Sequence, residues 1–289
     1  MIYKQDYGFV PRLGRTPTNI TIRIENDNMS SLIAGIANNC DIEAVGYKIG
    51  DYFEGHSTHT ITPDTSTSGS DTPVNVKFTY WLADLDTYYG GYDLNALVSD
   101  HHIAILVDTH INKRWKDSTD TLTGYEASRL HQFLKGSDCL NNIKADLNYI
   151  LGSNTADDHL VKHQKCYSTY DSTKPTTPWS YAYTTGSGET ISALTEMDIY
   201  GTSIWSGRPS IYTGGSSPVL VDNAYQQGET CRQLEIFREY RFNEIFGDHT
   251  IWLRSLSSAS RACNASRYGY AHNGVFTYSG GAVGLVLFN

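Results

Sequence analysis

The chain has 289 residues, which is enough for one sizeable hydrophobic core or for one main domain with a small appendage. Its 22 Lys and Arg against 31 Asp and Glu give a formal net charge of -9, the opposite of the balance expected in a general nucleic-acid binder. Only 18% of the residues are charged, whereas 21 are Tyr. This β-rich, turn-rich composition favours a secreted, surface or virion protein over a helical cytosolic enzyme.

The N-terminal region differs from the rest of the chain because Pro11, Gly14 and Pro17 interrupt it. Alternation in residues 20–24 predicts a half-buried strand, and Asn28 begins a segment that can cap a short helix ending near Asn38. Forty such residues cannot enclose a core of their own. Residues 1–40 are therefore predicted to form an anchoring arm that docks on its own domain or on a neighbouring subunit of an assembly, and residues 41–289 to form the main domain.

Strand signals follow the arm. A hairpin with its tip between Pro63 and Pro73 is predicted to join a strand near Tyr52 to residues 74–82, and the apolar run 101–108 is predicted to be a central strand covered on both faces. Helical spacing then appears in residues 124–134, 139–151 and 230–246, and an apolar segment of residues 191–201 ends at a glycine. The order of strands, helices and strands again predicts an α+β fold.

The C-terminal region divides into two parts that we name the frame and the display. The frame is residues 252–255 and 282–288, two apolar segments predicted to be buried, with Trp252 in the core and Arg254 paired inside the protein. The display is residues 261–278, a stretch thick with Gly, Ser, Asn and Tyr, which are residue types suited to contact rather than chemistry. The predicted binding residues are Arg261, Asn264, Ser266, Arg267, Tyr268, Tyr270, His272, Asn273 and Tyr278.

Motifs for other chemistries are missing or weak. The pairs His56/His59 and His101/His102 and nearby His110 lack an HExxH context, so no transition-metal site is predicted. The clusters Asp84/Asp86 and Asp157/Asp158 lack the spacing of a calcium loop and are interpreted as solvated turn carboxylates. No GxSxG elbow or phosphate-binding GxxxxGK[ST] occurs, so we expect no enzyme activity and no cofactor. A carboxylate pair for sugar hydrolysis stays open, because the fold decides its geometry.

The five cysteines, Cys40, Cys139, Cys166, Cys231 and Cys263, form no CxxC pair. They are interpreted as free and mostly buried thiols of a protein made in a reducing cell. The start of the chain has no apolar region typical of an export signal, and no stretch approaches the roughly 20 apolar residues of a membrane span. A soluble protein without membrane insertion is therefore expected.

The same C-terminal residues carry a family resemblance. Residues 251–255 (IWLRS), Tyr268-Gly269, Asn273-Gly274-Val275 and residues 281–285 resemble the "WLRS … G … GVRPA" ending of a large family of phage and prophage virion proteins. Upstream, residues 45–51, 124–134 and 191–201 resemble that family's "IGD" entry, its helix and its "LSe.Ev.G" segment, in the same order. Gly284-Leu285 replaces the usual "RP", and the N-terminal arm has no counterpart in the family.

The resemblance implies a C-type-lectin-like domain akin to variable tropism determinants, in which a stable frame carries changeable side chains. The expected function is that of a bacteriophage virion structural protein, assembled in the host cytoplasm and displayed as a head fibre, a decoration or a tail-tip component. Its expected partners are other virion proteins, further copies of itself (a trimer first) and a host-surface glycan or protein. A purely structural decoration or cement protein, a glycan-degrading enzyme and a prophage-encoded lectin are the alternatives.

Overall fold

The computed structural model describes residues 16–65, 71–87, 100–116, 125, 128–162, 166–170, 181–185, 189–201, 233–258 and 261–289. The helices are α1 (Thr21–Asn26), α2 (Ser30–Ala37), α3 (Arg129–Lys135), α4 (Asn142–Leu151), α5 (Ala156–His159), α6 (Glu196–Tyr200), α7 (Glu235–Glu239) and α8 (Phe242–Phe246), with a π-helical turn at Ser137–Asn141. The strands are β1 (Tyr52–Glu54), β2 (His59–Ile61), β3 (Val74–Val76), β4 (Thr79–Leu85), β5 (Ile103–Arg114), β6 (Leu160–Val161), β7 (Cys166–Tyr170), β8 (Tyr181–Thr185), β9 (Ile191–Ala193), β10 (Ile251–Ser258), β11 (Arg261–Ala265), β12 (Ala271–Val275) and β13 (Ser279–Phe288).

Nine of these strands form one mostly antiparallel sheet in the order β1-β4-β5-β13-β10-β11-β12, with β6 and β9 also pairing with β13. Strand β13 pairs with β5 along most of its length, while its other side meets β10, β9 and β6 in turn. Within the described part of the chain, short helices accompany this sheet, so the fold fits the predicted α+β class.

The centre of the sheet is apolar on both faces. Every residue from Ile103 to Val107 in β5 is fully buried, which confirms the prediction of a central strand at residues 101–108. The neighbouring strand β13 is buried from Gly280 to Phe288. Because both faces of these strands are covered, neither strand has solvent-facing positions that require polar residues. Both sequences are therefore continuous apolar runs.

The predicted hairpin is in fact two nested strand pairs. Strand β1 pairs with β4, with Tyr52 opposite Trp81, as the sequence suggested. Residues 74–82 are not one strand, however, because β3 ends at Val76 and pairs separately with β2. The break lies next to Phe78, whose carbonyl accepts a hydrogen bond from Gly55 N–H at 2.8 Å and thereby closes the space between the two pairs.

The N-terminal segment contains a helix where a strand was predicted. Residues 21–24 fall in α1 and Ile20 is its N-cap, because the side-chain oxygen of Asn19 accepts a hydrogen bond from Thr21 N–H at 2.9 Å and starts a local turn. The second prediction, a short helix ending near Asn38, is confirmed by α2. Ile24 and Leu32 are fully buried in the same core as the sheet. The described part of residues 1–40 thus packs on its own domain, while docking on an assembly stays a prediction; Pro11 and Gly14 lie outside the described residues.

The predicted helix of residues 139–151 is confirmed by the π-helical turn and α4, which ends at the left-handed Gly152. The helix predicted for residues 230–246 is instead two short helices, α7 and α8. The chain turns between them because Tyr240 is held in an extended conformation with its hydroxyl donating to the Ile49 carbonyl at 3.2 Å. None of the described helices has the length and apolar character that crossing a membrane requires.

Candidate recognition surface

The buried residues of the frame pack against the display hairpin. The prediction that Trp252 lies in the core is confirmed, since its side chain is 2% exposed and its Nε1 donates to the Lys113 carbonyl at 3.0 Å. Arg254 is buried as well, and its backbone N–H donates to the Leu194 carbonyl at 2.9 Å. Trp115 stacks on Phe276 with ring centroids 4.7 Å apart. The base of the display is therefore packed aromatic core.

The display itself is a hairpin at the edge of the sheet. Strands β11 and β12 pair over five residues, from Arg261 opposite Val275 to Ala265 opposite Ala271. Strand β12 is the last strand in the sheet order, so none of the described residues forms a further strand along one of its edges. Among the described residues, six large apolar side chains are exposed, and three of them are the display tyrosines Tyr268, Tyr270 and Tyr278. Tyr268 and Tyr270 are neighbours, with ring centroids 6.4 Å apart, and adjacent exposed apolar rings are typical of a contact surface.

Three predicted residues meet in the turn between β11 and β12, which we name the turn end. The guanidinium carbon of Arg267 lies 4.7 Å from the ring centroid of Tyr268, and Arg267 Nη2 donates to the Tyr268 hydroxyl at 2.7 Å. The rings of Tyr268 and Tyr270 are 6.4 Å apart and tilted, and these side chains are 63% and 71% exposed. The turn end therefore presents two tyrosines and a cation to solvent.

The turn end is held in one shape by its own backbone. Ser266 N–H donates to the Tyr270 carbonyl at 2.9 Å, Gly269 N–H to the Ser266 carbonyl at 2.7 Å, and Ser266 Oγ accepts from Tyr270 N–H at 3.2 Å. Gly269 has φ +79°, and a Cβ at this position would lie 2.9 Å from Cβ of Phe242 in α8. Glycine is required both by the left-handed backbone and by this close packing on the core.

Three further predicted residues, Arg261, Asn273 and Tyr278, lie toward the opposite end of the hairpin, which we name the strand end. Arg261 Nη1 donates to Oδ1 of Asn273 at 3.0 Å, across the two strands. Tyr278 is 64% exposed in the connection to β13, and its backbone N–H donates to the Val275 carbonyl. Five residues of strand separate the two ends by about 17 Å. The predicted binding residues therefore do not form one continuous site.

One predicted binding residue is placed differently from the expectation. Asn264 is only 6% exposed and lies opposite Trp252 in the register of β10 and β11. Asn264 lies beside the indole, since a Cβ at Gly274 would lie 2.7 Å from Cη2 of Trp252 and 2.9 Å from Nδ2 of Asn264, and β11 is buried from Ala262 to Ala265. His272, its partner in β12, is exposed at the sheet edge. Asn264 therefore belongs with the frame.

In the described part of the chain, the carboxylates of Asp84, Asp157 and Glu196 do not share a cleft in which a pair could hydrolyse a glycan. Asp84 and Glu196 are fully buried, and Asp157 is exposed and paired with Lys144 at 2.6 Å. A concavity of about 600 Å³ does include Asp64, but both oxygens of this carboxylate are bound, one by Arg114 at 2.8 Å and the other by Arg129 at 2.7 Å. Asp64 is held as a structural anion there.

The histidines fall into separate environments. His59 is buried, with Nε2 3.0 Å from Oδ2 of Asp146. Asp146 also accepts from the Tyr80 hydroxyl at 2.9 Å and from Ser57 N–H at 3.0 Å. Burial, followed by the nearby Asp146 carboxylate, raises the pKa of Tyr80. Sequence reasoning missed this network, since Asp146 looks like an ordinary polar residue of an amphipathic helix. His110 Nε2 contacts Thr79 Oγ1 at 2.9 Å.

Comparison of the chain with models of protein families, with curated proteins and with solved structures finds no match. Function must therefore be argued from the residues of this chain and their geometry.

Proposed function

We propose that the protein is a bacteriophage virion structural protein whose display contacts a glycan or protein on the host surface. The observation that carries this proposal is the turn end, where Tyr268 and Tyr270 are largely exposed on a hydrogen-bonded turn anchored to the core. Tyrosine offers a large amphipathic contact area and loses little entropy on binding, so a preformed tyrosine pair suits recognition without chemistry.

The domain is proposed to be C-type-lectin-like. Support comes from the segments that resemble the phage family, because several of them meet around β13. Gly284 pairs with Ala193 of β9, Ile251 pairs with Gly281, and Arg254 N–H bonds to Leu194. Segments conserved in order in a family are expected to pack together if they form its common scaffold. Residues 45–51 join the same sheet through Gly50 N–H, which donates to the Leu82 carbonyl at 2.8 Å.

Gly284, which stands where the family usually has "RP", has a local explanation. A Cβ at Gly284 would lie 2.4 Å from Cδ1 of Ile191 and 3.4 Å from Cδ2 of Leu134. The strand β9 therefore approaches β13 more closely than a larger residue would permit. This departure concerns packing of the frame and leaves the display unaffected, so it is compatible with the proposed lectin-like scaffold.

The two ends of the hairpin are proposed to make different contacts. The turn end carries the tyrosine pair and is the proposed host contact. The strand end, with Arg261, Asn273 and Tyr278, lies near the connection to β13. It is the proposed contact with a second virion subunit in a trimer. The alternative of a decoration or cement protein differs at one point only, because it places the turn end inside the assembly.

Immunogold electron microscopy of intact particles tests the proposal. Particles are purified from lysates of the strain that encodes the chain and labelled with antibodies raised against a peptide of residues 264–272. Gold at the outer face of intact particles is the expected result. Label that appears only after the particles are disrupted would favour the cement protein, and absence of the chain from the particle fraction would overturn the virion assignment.

A binding assay tests the recognition step separately. The purified full chain is incubated with cells of the same bacterial species, and a Tyr268→Ala/Tyr270→Ala variant is compared with Tyr149→Ala, which removes a 52% exposed tyrosine from α4. We expect the double variant to bind at least about tenfold more weakly, since anchoring aromatics dominate such contacts, and the control to bind normally. Equal binding by all three chains would contradict a host contact at the turn end.

A further inference from the structure

Three side chains with metal-ligating atoms converge far from the display. Cys40 follows α2, Asp86 follows β4 and His101 precedes β5. Cys40 Sγ lies 3.1 Å from Asp86 Oδ1, and His101 Nδ1 lies 2.7 Å from Asp86 Oδ2. One ligand atom from each residue lies within 4.8 Å of the other two. We propose that Cys40, Asp86 and His101 bind a divalent transition-metal ion, for which zinc is the best match.

The donor set selects the class of metal. One sulfur, one nitrogen and one carboxylate oxygen suit a borderline-soft ion such as Zn²⁺, whereas Ca²⁺ and Mg²⁺ require oxygen ligands. A thiolate and a carboxylate together carry two negative charges, so a divalent cation with a neutral imidazole makes the site neutral. On binding, the thiol proton leaves to solvent, and the imidazole gives up the Nδ1 proton that it shares with Asp86 and is bound as the neutral Nε2–H tautomer, so that Nδ1 can coordinate.

The distances fit a site that adjusts around the ion. Tetrahedral coordination at ordinary zinc bond lengths separates neighbouring sulfur, nitrogen and oxygen ligands by about 3.3–3.5 Å. Cys40 Sγ and His101 Nδ1 lie 3.1 Å and 2.7 Å from different oxygens of Asp86, and one ligand atom from each residue lies within 4.8 Å of the other two. Side-chain rotations that move these atoms by up to about an ångström would bring them to coordination distances.

The backbone around the cluster is unusual. Asn39, Cys40 and Asp86 have φ of +54°, +56° and +51°, in the left-handed region that non-glycine residues seldom adopt. Two of these three residues are proposed ligands. Backbone of this kind persists only where the surrounding structure holds it, and it concentrates at functional sites. Here it turns two ligand side chains from separate elements toward the same point.

Exposure also suits an ion-binding site. Cys40 is 6% exposed and forms the inner wall, while the side chains of Asp86 and His101 are about a quarter exposed and leave a path from solvent. The Asp86 carboxylate lies between the other two proposed ligands, with one oxygen near each of them.

The site would join the N-terminal segment to the sheet. Cys40 belongs to the segment that contributes Ile24 and Leu32 to the core, whereas Asp86 and His101 flank the pair β4 and β5. A metal bound here would hold these parts together and stabilise the folded chain by mass action. Its function would therefore be structural, and it does not depend on the proposed role of the display.

Cobalt substitution tests the site with the full-length chain. After treatment with a chelator the chain is titrated with Co²⁺, and near-ultraviolet absorption reports a thiolate-to-cobalt bond. We expect about one Co²⁺ per chain with a charge-transfer band, no band in Cys40→Ser, and at least a tenfold weaker affinity in His101→Ala. The matched controls Cys139→Ser and His56→Ala alter a buried thiol and an exposed imidazole outside the cluster and should behave as wild type.

Circular dichroism identifies a variant that misfolds. Even then, the titration of the wild-type chain shows whether it binds Co²⁺ through a thiolate. No charge-transfer band in the wild-type chain would overturn the proposal, as would a band that survives Cys40→Ser. A further readout is the melting temperature, which should rise when Zn²⁺ is added to the wild-type chain and should not change with Zn²⁺ in Cys40→Ser.

Discussion

The imidazole of His59 and the carboxylate of Asp146 form a buried pair, with Nε2 and Oδ2 3.0 Å apart and the Asp146 side chain fully enclosed. The pair connects the small hairpin of β2 and β3 to α4, and the Tyr80 hydroxyl and Ser57 N–H share the same carboxylate. One aspartate thus contacts three groups, two in the segment of residues 57–59 and one in β4, so its replacement is expected to disturb all three contacts.

Replacement of Asp146 should therefore be strongly destabilising. Asp146→Ala leaves three buried donors without their acceptor, and we expect the free energy of unfolding to fall by about 3–5 kcal/mol. Asp146→Asn keeps one acceptor oxygen and should lose clearly less. Urea unfolding followed by circular dichroism measures both values. Equal losses in the two variants would show that the hydrogen bonds are not what the carboxylate contributes.

The frame and the display should respond to mutation in opposite ways. Trp252→Ala removes a buried indole together with its hydrogen bond to Lys113, at an expected loss of about 3–5 kcal/mol of stability. Tyr268→Ala and Tyr270→Ala alter exposed rings and should change stability by less than about 0.5 kcal/mol. Thermal unfolding of the three variants checks this division. Loss of folding in either tyrosine variant would contradict the separation of display from frame.

The shape of the turn end can be probed through two glycines. Gly247 and Gly269 both have positive φ, but a Cβ at Gly247 would meet nothing within 4 Å, whereas one at Gly269 would lie 2.9 Å from Phe242. Gly247→Ala should therefore cost only the strain of its backbone, whose φ of +58° and ψ of −136° are seldom adopted by residues with a Cβ, at about 1–3 kcal/mol. Gly269→Ala should cost more and should also weaken binding to the host surface, although both tyrosines remain. Chemical unfolding and the cell-binding assay measure the two effects.

If the two alanine variants lost the same stability, the packing of the turn on α8 would be unimportant. If Gly269→Ala were destabilised but bound normally, the turn end would not need its present shape for recognition.

Asp51 should make stability depend on pH. Burial raises the pKa of this carboxyl above its usual value, although the Lys48 backbone N–H donates to it at 2.9 Å. The folded chain therefore holds this proton more tightly than the unfolded chain. The resulting stabilisation is complete below the unfolded pKa and is lost as the pH rises through the folded pKa.

Asp51→Asn removes that titration and keeps an acceptor for Lys48. We expect the stability of the variant relative to wild type to increase as the pH is raised from about 3 to about 7, a range that spans the ordinary carboxyl pKa. Urea unfolding of both chains at matched pH values gives the difference. If the difference in unfolding free energy stays constant across this range, ionisation of Asp51 does not destabilise the folded chain.

Much of the fold could be predicted from local sequence patterns. The central strand at residues 101–108 was identifiable because a strand covered on both faces becomes a continuous apolar run, and the burial of Trp252 followed from alternation beside a second apolar segment. The strand predicted at residues 20–24 was wrong because five alternating residues are too few to overrule a local turn set by Asn19. One side-chain hydrogen bond decided that segment.

The sites were harder to predict because they depend on contacts between distant residues. The exposed tyrosines could be identified from composition, but their division between two ends of a hairpin follows from the register of β11 and β12. Cys40, Asp86 and His101 are far apart in sequence, and no spacing rule connects them. Backbone turns at Cys40 and Asp86 bring them together, and such turns leave no pattern in a sequence without glycine.

The central position of β13 has a consequence for folding. Val283 pairs with Asp108, Gly284 with Ala193, and Leu287 with Val161, so a single late strand completes pairings with segments translated long before it. Until residues 279–288 have paired, the apolar strand β5 lacks one of its neighbours. Because these pairings join segments that are distant in sequence, folding of the sheet is expected to be slow and its partly folded forms prone to aggregation.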